Sequence, residues 1–402
     1  MEMTYNLNIR ATTQREGSFM SFADSIMKPA TLGRIGVKNR IIRSATCMAG
    51  ADEKTGNPTP KLIEKYKELA KGGVGLIITG HAYVNSNGKA SPRQLSISSD
   101  DNISGLANLV SEAHGTGCPM IVQISHAGAF SITAEDGVAL APSDVKNPMT
   151  GRPCKGMTIS EIHSLITDFA KAAQRAKVSN ADGVQLHLAH GFLLTQFLSP
   201  IFNKRKDGYG GEDILKRARI VFEILEEIRY RTGEDFPLWV KISVTEGANE
   251  GYSSLEGIRL AQELARVKVD AIEVSGGTFY GDKNLSPSRT GIIAGKNEGY
   301  FAEEASAIRE RVGKATQVIL VGGLRSQESM VNLFDRGTAE AFSLSRPLIA
   351  EPDLVNRWAS GDGEPAECIS CNACSRTAKA GIVYCPVMRD AAEGIWAPPP
   401  EC

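Results

Sequence analysis

Short apolar segments alternate with longer amphipathic segments along most of the chain from residue 41 onward. The apolar segments are rich in Val and Ile, which is typical of strands buried on both faces. They cover residues 41–47, 74–80, 119–125, 182–188, 237–243, 269–275, 317–323 and 339–345. Between them, apolar residues recur at the spacing of a helix. These predicted helices cover residues 60–73, 103–117, 158–180, 214–233, 254–268, 301–313 and 326–337.

The alternation predicts a parallel sheet covered by helices. About eight such repeats in roughly 300 residues fit a closed (β/α)8 TIM barrel better than an open doubly wound sheet. A Rossmann domain would require G-x-G-x-x-G after an early strand, and the chain has no such motif there. We therefore predict an α/β fold with a barrel over residues 24–360, an N-terminal arm at 1–23 and a cysteine-rich segment at 361–402.

The composition is that of an ordinary globular protein. Of the 402 residues, 42% are hydrophobic and 23% are charged, and the formal net charge is -1. This balance gives no electrostatic reason to expect nucleic acid or a membrane surface as partner. No apolar segment approaches the ~20 residues of a membrane-spanning helix, and the N-terminus lacks the apolar core of a signal peptide. Scattered single cysteines then indicate reduced thiols in a cytoplasm.

Polar residues stand at the C-terminal ends of the predicted strands, where the chemistry of such barrels gathers. Apolar strands that simply terminated would not need a lysine, a glutamine and histidines there. The residues at these ends are Cys47, Gly80, His81, Gln123, Ser125, His126, His187, His190, Lys241, Ser275, Gly276, Gly277, Gly322, Gly323, Ser345 and Arg346.

His187 and His190 lie at the end of a strand and are followed by a structured polar loop. Val184, Leu186 and Leu188 alternate with Gln185 and His187, which places His187 on the polar side of the strand. The alternative is that one ring is packed and hydrogen-bonded and the other is exposed. Their position at the barrel mouth favours a functional pair.

The last two strand ends carry an anion-binding pattern. Gly322 and Gly323 precede a short helix, and Ser345 and Arg346 follow the next strand. Glycines let backbone N–H groups approach an anion, and arginine is a bidentate donor. Phosphate binding after strands seven and eight is common in these barrels. The alternative is a glycine turn beside a surface arginine.

These segments resemble the Old Yellow Enzyme (NADH:flavin oxidoreductase) family of FMN-dependent oxidoreductases. The most specific match is HLAHGFLLTQFLSPIFNKRKDGYGG at residues 187–211. The other matching segments, in the family's order, are 38–47, 72–80, 123–128, 240–243, 321–326 and 345–354.

The resemblance implies a non-covalent FMN across the barrel mouth, reduced by NAD(P)H. His187 and His190 match the pair that hydrogen-bonds a substrate oxygen, while Lys241 would stabilise the reduced anionic ring. The remaining cofactor-binding residues implied are Ala45, Thr46, Cys47, Gly80, Gln123, Gly322, Gly323, Ser345 and Arg346.

Three positions depart from the family pattern. Phe192 stands where the ene-reductases usually have a tyrosine that donates a proton, and a phenyl ring cannot donate. Ala49 replaces an aromatic residue that helps to bind substrate in the cysteine-containing branch. His81 replaces a small residue after Gly80, so it either crowds the flavin or turns away from it.

Four cysteines of the C-terminal segment are spaced as C-x2-C-x2-C-x10-C: Cys368, Cys371, Cys374 and Cys385. This spacing indicates a 4Fe–4S cluster or a zinc ion, with metal-free thiols as the alternative. It is similar to the iron–sulfur segment of 2,4-dienoyl-CoA reductase and trimethylamine dehydrogenase, although the last interval is shorter. A cluster here would need an external electron-transfer protein or would be structural. Cys402 is expected to be a spare thiol.

The sequence therefore predicts an enzyme, an FMN-dependent oxidoreductase that takes hydride from NAD(P)H and reduces a small electron-poor molecule, such as an α,β-unsaturated carbonyl or a quinone. Two alternatives stay open. One is an FMN/4Fe–4S dehydrogenase that oxidises a small amine or C–H donor, and the other is a flavin electron-relay subunit. A homo-oligomer is expected on general grounds.

Overall fold

The structure is a computed structural model that describes residues 20–133 and 137–392. Within these ranges, eight parallel strands form a barrel. The barrel is closed, because each strand pairs with the next in chain order and the eighth strand pairs with the first. They are β1 Ile41–Arg43, β2 Leu76–Ile78, β3 Met120–Ser125, β4 Gly183–Leu188, β5 Leu238–Ser243, β6 Ala271–Ser275, β7 Gln317–Val321 and β8 Ala341–Leu344. The predicted (β/α)8 TIM barrel is confirmed, and each predicted strand contains one of these strands.

Helices cover the outside of the barrel. One outer helix follows each strand in turn: α1 Pro60–Lys71, α2 Ile103–His114, α3 Ile159–Val178, α4 Arg219–Thr232, α5 Ser254–Arg266, α6 Ala302–Val312, α7 Gln327–Asp335 and α8 Leu354–Ala359. Additional helices are Phe22–Ser25, Leu193–Leu198, Ile214–Arg217, Pro347–Ala350 and Pro386–Ala392, with 3-10 turns at Ser86–Gly88, Asp100–Asn102, Gly128–Phe130, Lys283–Leu285 and Ala373–Ala380. The helix predicted over 214–233 is two helices, since Ala218 separates Ile214–Arg217 from α4.

Side-chain alternation along the strands separates two cores. In β4, Val184, Leu186 and Leu188 face the outer helices, whereas Gln185 and His187 are the alternate residues. A second cluster inside the barrel contains Trp239, Ala271 and Ile319. The barrel interior therefore has two layers: an apolar lower layer, and a layer of polar residues near the C-terminal ends of the strands.

An antiparallel hairpin, Ala30–Leu32 with Ile35–Val37, closes the lower end of the barrel. Its turn residue Gly33 accepts a hydrogen bond from Trp239 Nε1 at 3.3 Å. A Cβ on Gly33 would lie 2.3 Å from that nitrogen, and its φ is +46°, so only glycine fits this contact. In the described residues the lower end is thus closed, whereas a cleft opens at the C-terminal ends of the strands.

The loops add structure that the sequence pattern did not predict. The strand Ala82–Tyr83 pairs with the end of β3, and three short strands, Ala139–Ala141, Val145–Lys146 and Pro153–Gly156, form a separate small sheet. Residues 366–385 fold back onto the barrel mouth, where Val383 N donates to Met48 O at 2.8 Å. The predicted arm up to residue 19 and Cys402 lie outside the described residues. No helix in the described part of the chain is long and apolar enough to span a membrane.

Candidate active site at the barrel mouth

A cleft lies at the C-terminal ends of the strands and brings together residues in or just after all eight of them. All of the predicted catalytic and cofactor-binding residues except Gly80 line it. Those residues are Ala45, Thr46, Cys47, Gln123, His187, His190, Lys241, Gly322, Gly323, Ser345 and Arg346. Gly80 instead lies behind Cys47, where its N–H donates to Tyr66 Oη at 2.7 Å.

A hydrogen-bonded network connects the floor of the cleft across the barrel. Lys241 Nζ donates to Ser44 Oγ at 2.8 Å and to Glu273 Oε1 at 3.1 Å. The second oxygen of Glu273 accepts from Gln185 Nε2 at 2.9 Å, and Gln185 Oε1 accepts from Gln123 Nε2 at 2.7 Å. One N–H of Lys241 and one of Gln123 remain available to a ligand in the cleft.

The pair of Lys241 and Glu273 is buried on both sides. The side chain of Lys241 is 4% exposed and that of Glu273 is 0% exposed. Burial alone would raise the pKa of Glu273, but the charge of Lys241 and the hydrogen bonds from Ser44 and Gln185 lower it below its ordinary value. Glu273 is therefore ionised, and a salt bridge lies directly below the cleft.

His187 and His190 lie next to each other, with ring centroids 5.4 Å apart. His190 has a φ of +63°, and its backbone N–H donates to Ser243 Oγ at 2.9 Å while its Nε2 lies 2.8 Å from Ser275 Oγ. Burial, together with the nearby cationic Lys241, holds the pKa of both imidazoles well below the usual range. The pair is thus neutral at physiological pH, with N–H donors but no charge.

Two further rings complete this side of the cleft. Phe192 lies 4.9 Å from the ring of His187 and 4.9 Å from the ring of His81, measured between centroids. His81 also lies 5.8 Å from His187. The side chain of His81 thus faces His187 and Phe192.

The opposite end of the cleft is suited to an anion. Gly322 and Gly323 have φ of 137° and 74°, and a Cβ on either would lie 2.9 Å from the ring of Tyr300. Arg346 Nη1 donates to Arg289 O at 2.8 Å and to Asn372 Oδ1 at 2.6 Å, which fixes the guanidinium and leaves its other N–H groups for the cleft. Arg325, which the sequence analysis did not single out, lines the same end and is 4% exposed.

The cysteine-rich segment packs against this anion-binding end. Arg325 Nη1 donates to Cys368 O at 2.6 Å. The thiols of Cys368, Cys371, Cys374 and Cys385 line one small cavity together with Arg346. In residues 20–133 and 137–392, no group of three or more His, Cys, Asp or Glu side chains is arranged to hold a single metal ion. The predicted metal site therefore stays a prediction.

Several functional candidates were missed from sequence. Glu273 and Ser44 are the hydrogen-bond partners of Lys241. Glu273 is a lone acid in the apolar strand AIEVS, and the strand register that places it beside Lys241 cannot be read from the sequence. The one sequence signal was its charge within a fully buried strand, since such a charge requires a partner.

Taken together, the barrel and its cleft define a (β/α)8 protein with a polar site at the strand ends. The sequence profile of the NADH:flavin oxidoreductase / NADH oxidase family matches residues 25–363, and the chain belongs to this family. The resemblance inferred from the motifs is thereby confirmed.

Two relatives and one solved structure illustrate the range of lengths in this family. The chain is 35% identical over 333 residues to an NADPH dehydrogenase of Halalkalibacterium halodurans, covering 82% of this chain and 91% of that protein. It is 33% identical over 360 residues to an NADH oxidase of Thermoanaerobacter brockii, covering 88% of this chain but 54% of that protein. A structure of 2-naphthoyl-CoA reductase with 2-naphthoyl-CoA superposes with a TM-score of 0.83 at 26% identity, over 94% of this chain and 58% of that chain. The chain thus spans about half the length of two of these proteins.

The buried salt bridge gives a stability prediction. Glu273→Gln leaves Lys241 as an unpaired buried cation, and we expect a loss of about 3–5 kcal/mol in the free energy of unfolding at neutral pH. Because the pKa of Glu273 is lowered in the folded state, its contribution is complete above the unfolded value near 4.5 and is lost as pH falls through the folded value. Urea unfolding at neutral and acid pH should show the difference from wild type shrinking in acid.

The matched control is Glu226→Gln, an exposed glutamate on α4, which should change the unfolding free energy by less than about 0.5 kcal/mol. An equal loss for Glu273→Gln at both pH values would show that its charge does not pair with Lys241.

Proposed function

We propose that this chain is an FMN-dependent oxidoreductase that takes hydride from NAD(P)H and reduces a small electron-poor acceptor, such as an α,β-unsaturated carbonyl or a quinone. The observation that carries the proposal is that one cleft combines an anion-binding end, a buried lysine and a neutral histidine pair. Family membership supports the flavin chemistry, and the name NADPH dehydrogenase for a relative supports the reductant.

The residues present fit a flavin mononucleotide. Gly322 and Gly323 line the cleft, and only glycine fits at either position, because a Cβ would collide with Tyr300. Arg346, Arg325 and Ser345 would hold the phosphate, while Gln123 and Lys241 would donate to the ring system from the cleft floor. FMN, when bound, supplies the hydride chemistry that amino-acid side chains lack.

Lys241 would orient the ring and favour its anionic form. The ammonium is fixed by Ser44 and Glu273, so its position does not depend on the ligand. When the cleft holds no anionic ligand, the carboxylate of Glu273 balances the positive charge of Lys241. The buried ammonium is therefore tolerated even when only neutral groups occupy the cleft. The third N–H of Lys241 is then a fixed donor at the cleft floor.

His187 and His190 would bind the acceptor through an oxygen. Two N–H donors on an oxygen that gains negative charge stabilise it more as the charge develops. Low pKa values keep both rings neutral, so they polarise the oxygen without a full positive charge. Phe192, next to them, offers no proton.

The alternative is an FMN/4Fe–4S dehydrogenase that oxidises a small amine or C–H donor, or a flavin electron-relay subunit. Both of these alternatives are favoured by the four cysteines that line one cavity beside Arg346. A 4Fe–4S cluster spreads its cysteine ligands over four irons and separates them more widely than one ion does. The lack of a single-ion arrangement in the described ranges therefore weighs against zinc more than against a cluster.

Arg346→Ala should weaken FMN retention. The variant removes a charge-assisted donor to phosphate, worth about 1.5–3 kcal/mol, so the Kd should rise roughly 10- to 100-fold. The measurement is the flavin-to-protein ratio after gel filtration, with Arg311→Ala on the exposed side of α6 as control. Unchanged flavin occupancy would remove Arg346 from the phosphate site.

His187→Ala with His190→Ala should weaken phenol binding while the flavin stays bound. Loss of two hydrogen bonds to a phenolate oxygen should weaken binding at least ~10-fold. The measurement is the long-wavelength absorbance change when 4-hydroxybenzaldehyde is added to the flavin-loaded protein. The control is His163→Ala, an exposed histidine on α3. A double variant that still gives the absorbance band would exclude the pair from the acceptor site.

Iron and acid-labile sulfide analysis of anaerobically purified protein separates the two functions. A 4Fe–4S cluster would give about four irons per chain, and Cys371→Ser should remove them without removing flavin. Iron below one per chain would contradict the cluster and leave the self-contained reductase.

A further inference from the structure

His81 follows β2 and lines the cleft beside the histidine pair. Its ring is partly exposed, and it lies near Phe192 and His187 as described above. Nothing in the reaction proposed so far uses this residue. Its hydrogen bonds, however, determine which ring nitrogen carries the proton, whereas the hydrogen bonds of His187 and His190 do not.

Gln94 fixes the tautomer of His81. The backbone N–H of Ala90 donates to Gln94 Oε1 at 2.6 Å, which identifies that atom as the oxygen. The amide nitrogen, Nε2, therefore faces His81, lying 2.8 Å from its Nδ1 and 3.1 Å from its backbone oxygen. Because both amide hydrogens are donated to His81, Nδ1 must accept, and the ring proton is on Nε2.

Ser125 is compatible with the same tautomer. Its Oγ lies 3.0 Å from His81 Nδ1 and 3.5 Å from Ala82 O, so its hydroxyl has acceptors on either side. His81 Nε2 has no hydrogen-bond partner in the described part of the chain. Burial lowers the pKa of the ring to about 4, so the N–H persists as a neutral donor at physiological pH.

The other two imidazoles are not fixed in this way. His190 Nε2 faces the hydroxyl of Ser275, where either atom can be the donor. His187 Nδ1 is buried and has no partner in residues 20–133 and 137–392. Among these three rings, His81 is the one whose tautomer the chain itself dictates. The ring next to it, Phe192, has no polar atom that could take the same place.

We infer that His81 is a third acceptor-binding imidazole, whose Nε2–H donates to a second oxygen of the bound acceptor while His187 and His190 hold the first. Gln94 is its positioning residue. The inference rests on the proposed function, since it requires an acceptor in the cleft. It names a substrate class, namely acceptors with two hydrogen-bond-accepting oxygens, such as nitroalkenes, in preference to acceptors with a single carbonyl oxygen.

The tautomer can be tested without turnover. In 15N-labelled full-length protein, the imidazole two-bond 15N–1H correlations at neutral pH should show one histidine with Nε2–H and an unprotonated Nδ1 that disappears in His81→Phe. Gln94→Leu should shift the two 15N resonances of that ring towards the averaged values of a histidine that exchanges between its two tautomers. The exposed His163→Phe should leave it unchanged. A protonated Nδ1 on His81 would overturn the inference.

The binding role is tested with two acceptors of matched ring size, 2-cyclohexenone with one oxygen and 1-nitrocyclohexene with two. In the FMN-loaded enzyme, His81→Phe should slow reoxidation by 1-nitrocyclohexene up to about tenfold, the effect of one neutral hydrogen bond, and reoxidation by 2-cyclohexenone by less than twofold. Flavin reduction by NAD(P)H should be unchanged. His81→Gln, which returns an N–H at a similar reach, should recover much of the nitroalkene rate.

Equal effects on both acceptors, or no recovery with His81→Gln, would overturn the role of His81 while leaving the reductase intact. A change in flavin reduction that matches the change in reoxidation would identify His81 as a cofactor contact instead. If the wild-type chain reduces neither of these acceptors, the acceptor-binding role of His81 fails, and the proposed function fails as well only if 1,4-benzoquinone is not reduced either.

Discussion

The buried pair of Lys241 and Glu273 is the interaction on which the barrel mouth depends. It joins two neighbouring strands, and through Ser44 and Gln185 it reaches strands on both sides of the barrel. A lone charge at either position would be costly in this interior, whereas the pair is tolerated because the two charges neutralise each other and both make further hydrogen bonds with Ser44 or Gln185. The ammonium group of Lys241 is thus held in place by the fold, before any ligand enters.

The same burial sets the state of the histidines. Burial disfavours the imidazolium form of His187, His190 and His81, and the cationic Lys241 adds to this effect at His187 and His190, so the three rings are neutral together. Neutral donors act at one end of the cleft and arginines at the other. An elongated ligand with a phosphate at one end matches this gradient, and an uncharged acceptor fits beside the histidines.

The eight strands were predictable because buried parallel strands are continuous apolar segments, and their polar ends pointed to the mouth. The sequence did not reveal partners that barrel register alone creates, such as Glu273 for Lys241. It also did not show that Arg325 and Arg346 contact the cysteine-rich segment, because residues 325 and 368 are distant in the chain. Gly80 was expected in the cleft from the family pattern, yet its N–H is directed to Tyr66.

The most direct test is an anaerobic absorbance titration of the purified chain with NADPH and with NADH, followed by addition of 1,4-benzoquinone. The account predicts one non-covalent FMN per chain, bleached by at least one of the two nucleotides and restored stoichiometrically by the quinone. A chain that binds no flavin after reconstitution, or whose flavin neither nucleotide reduces, would contradict it.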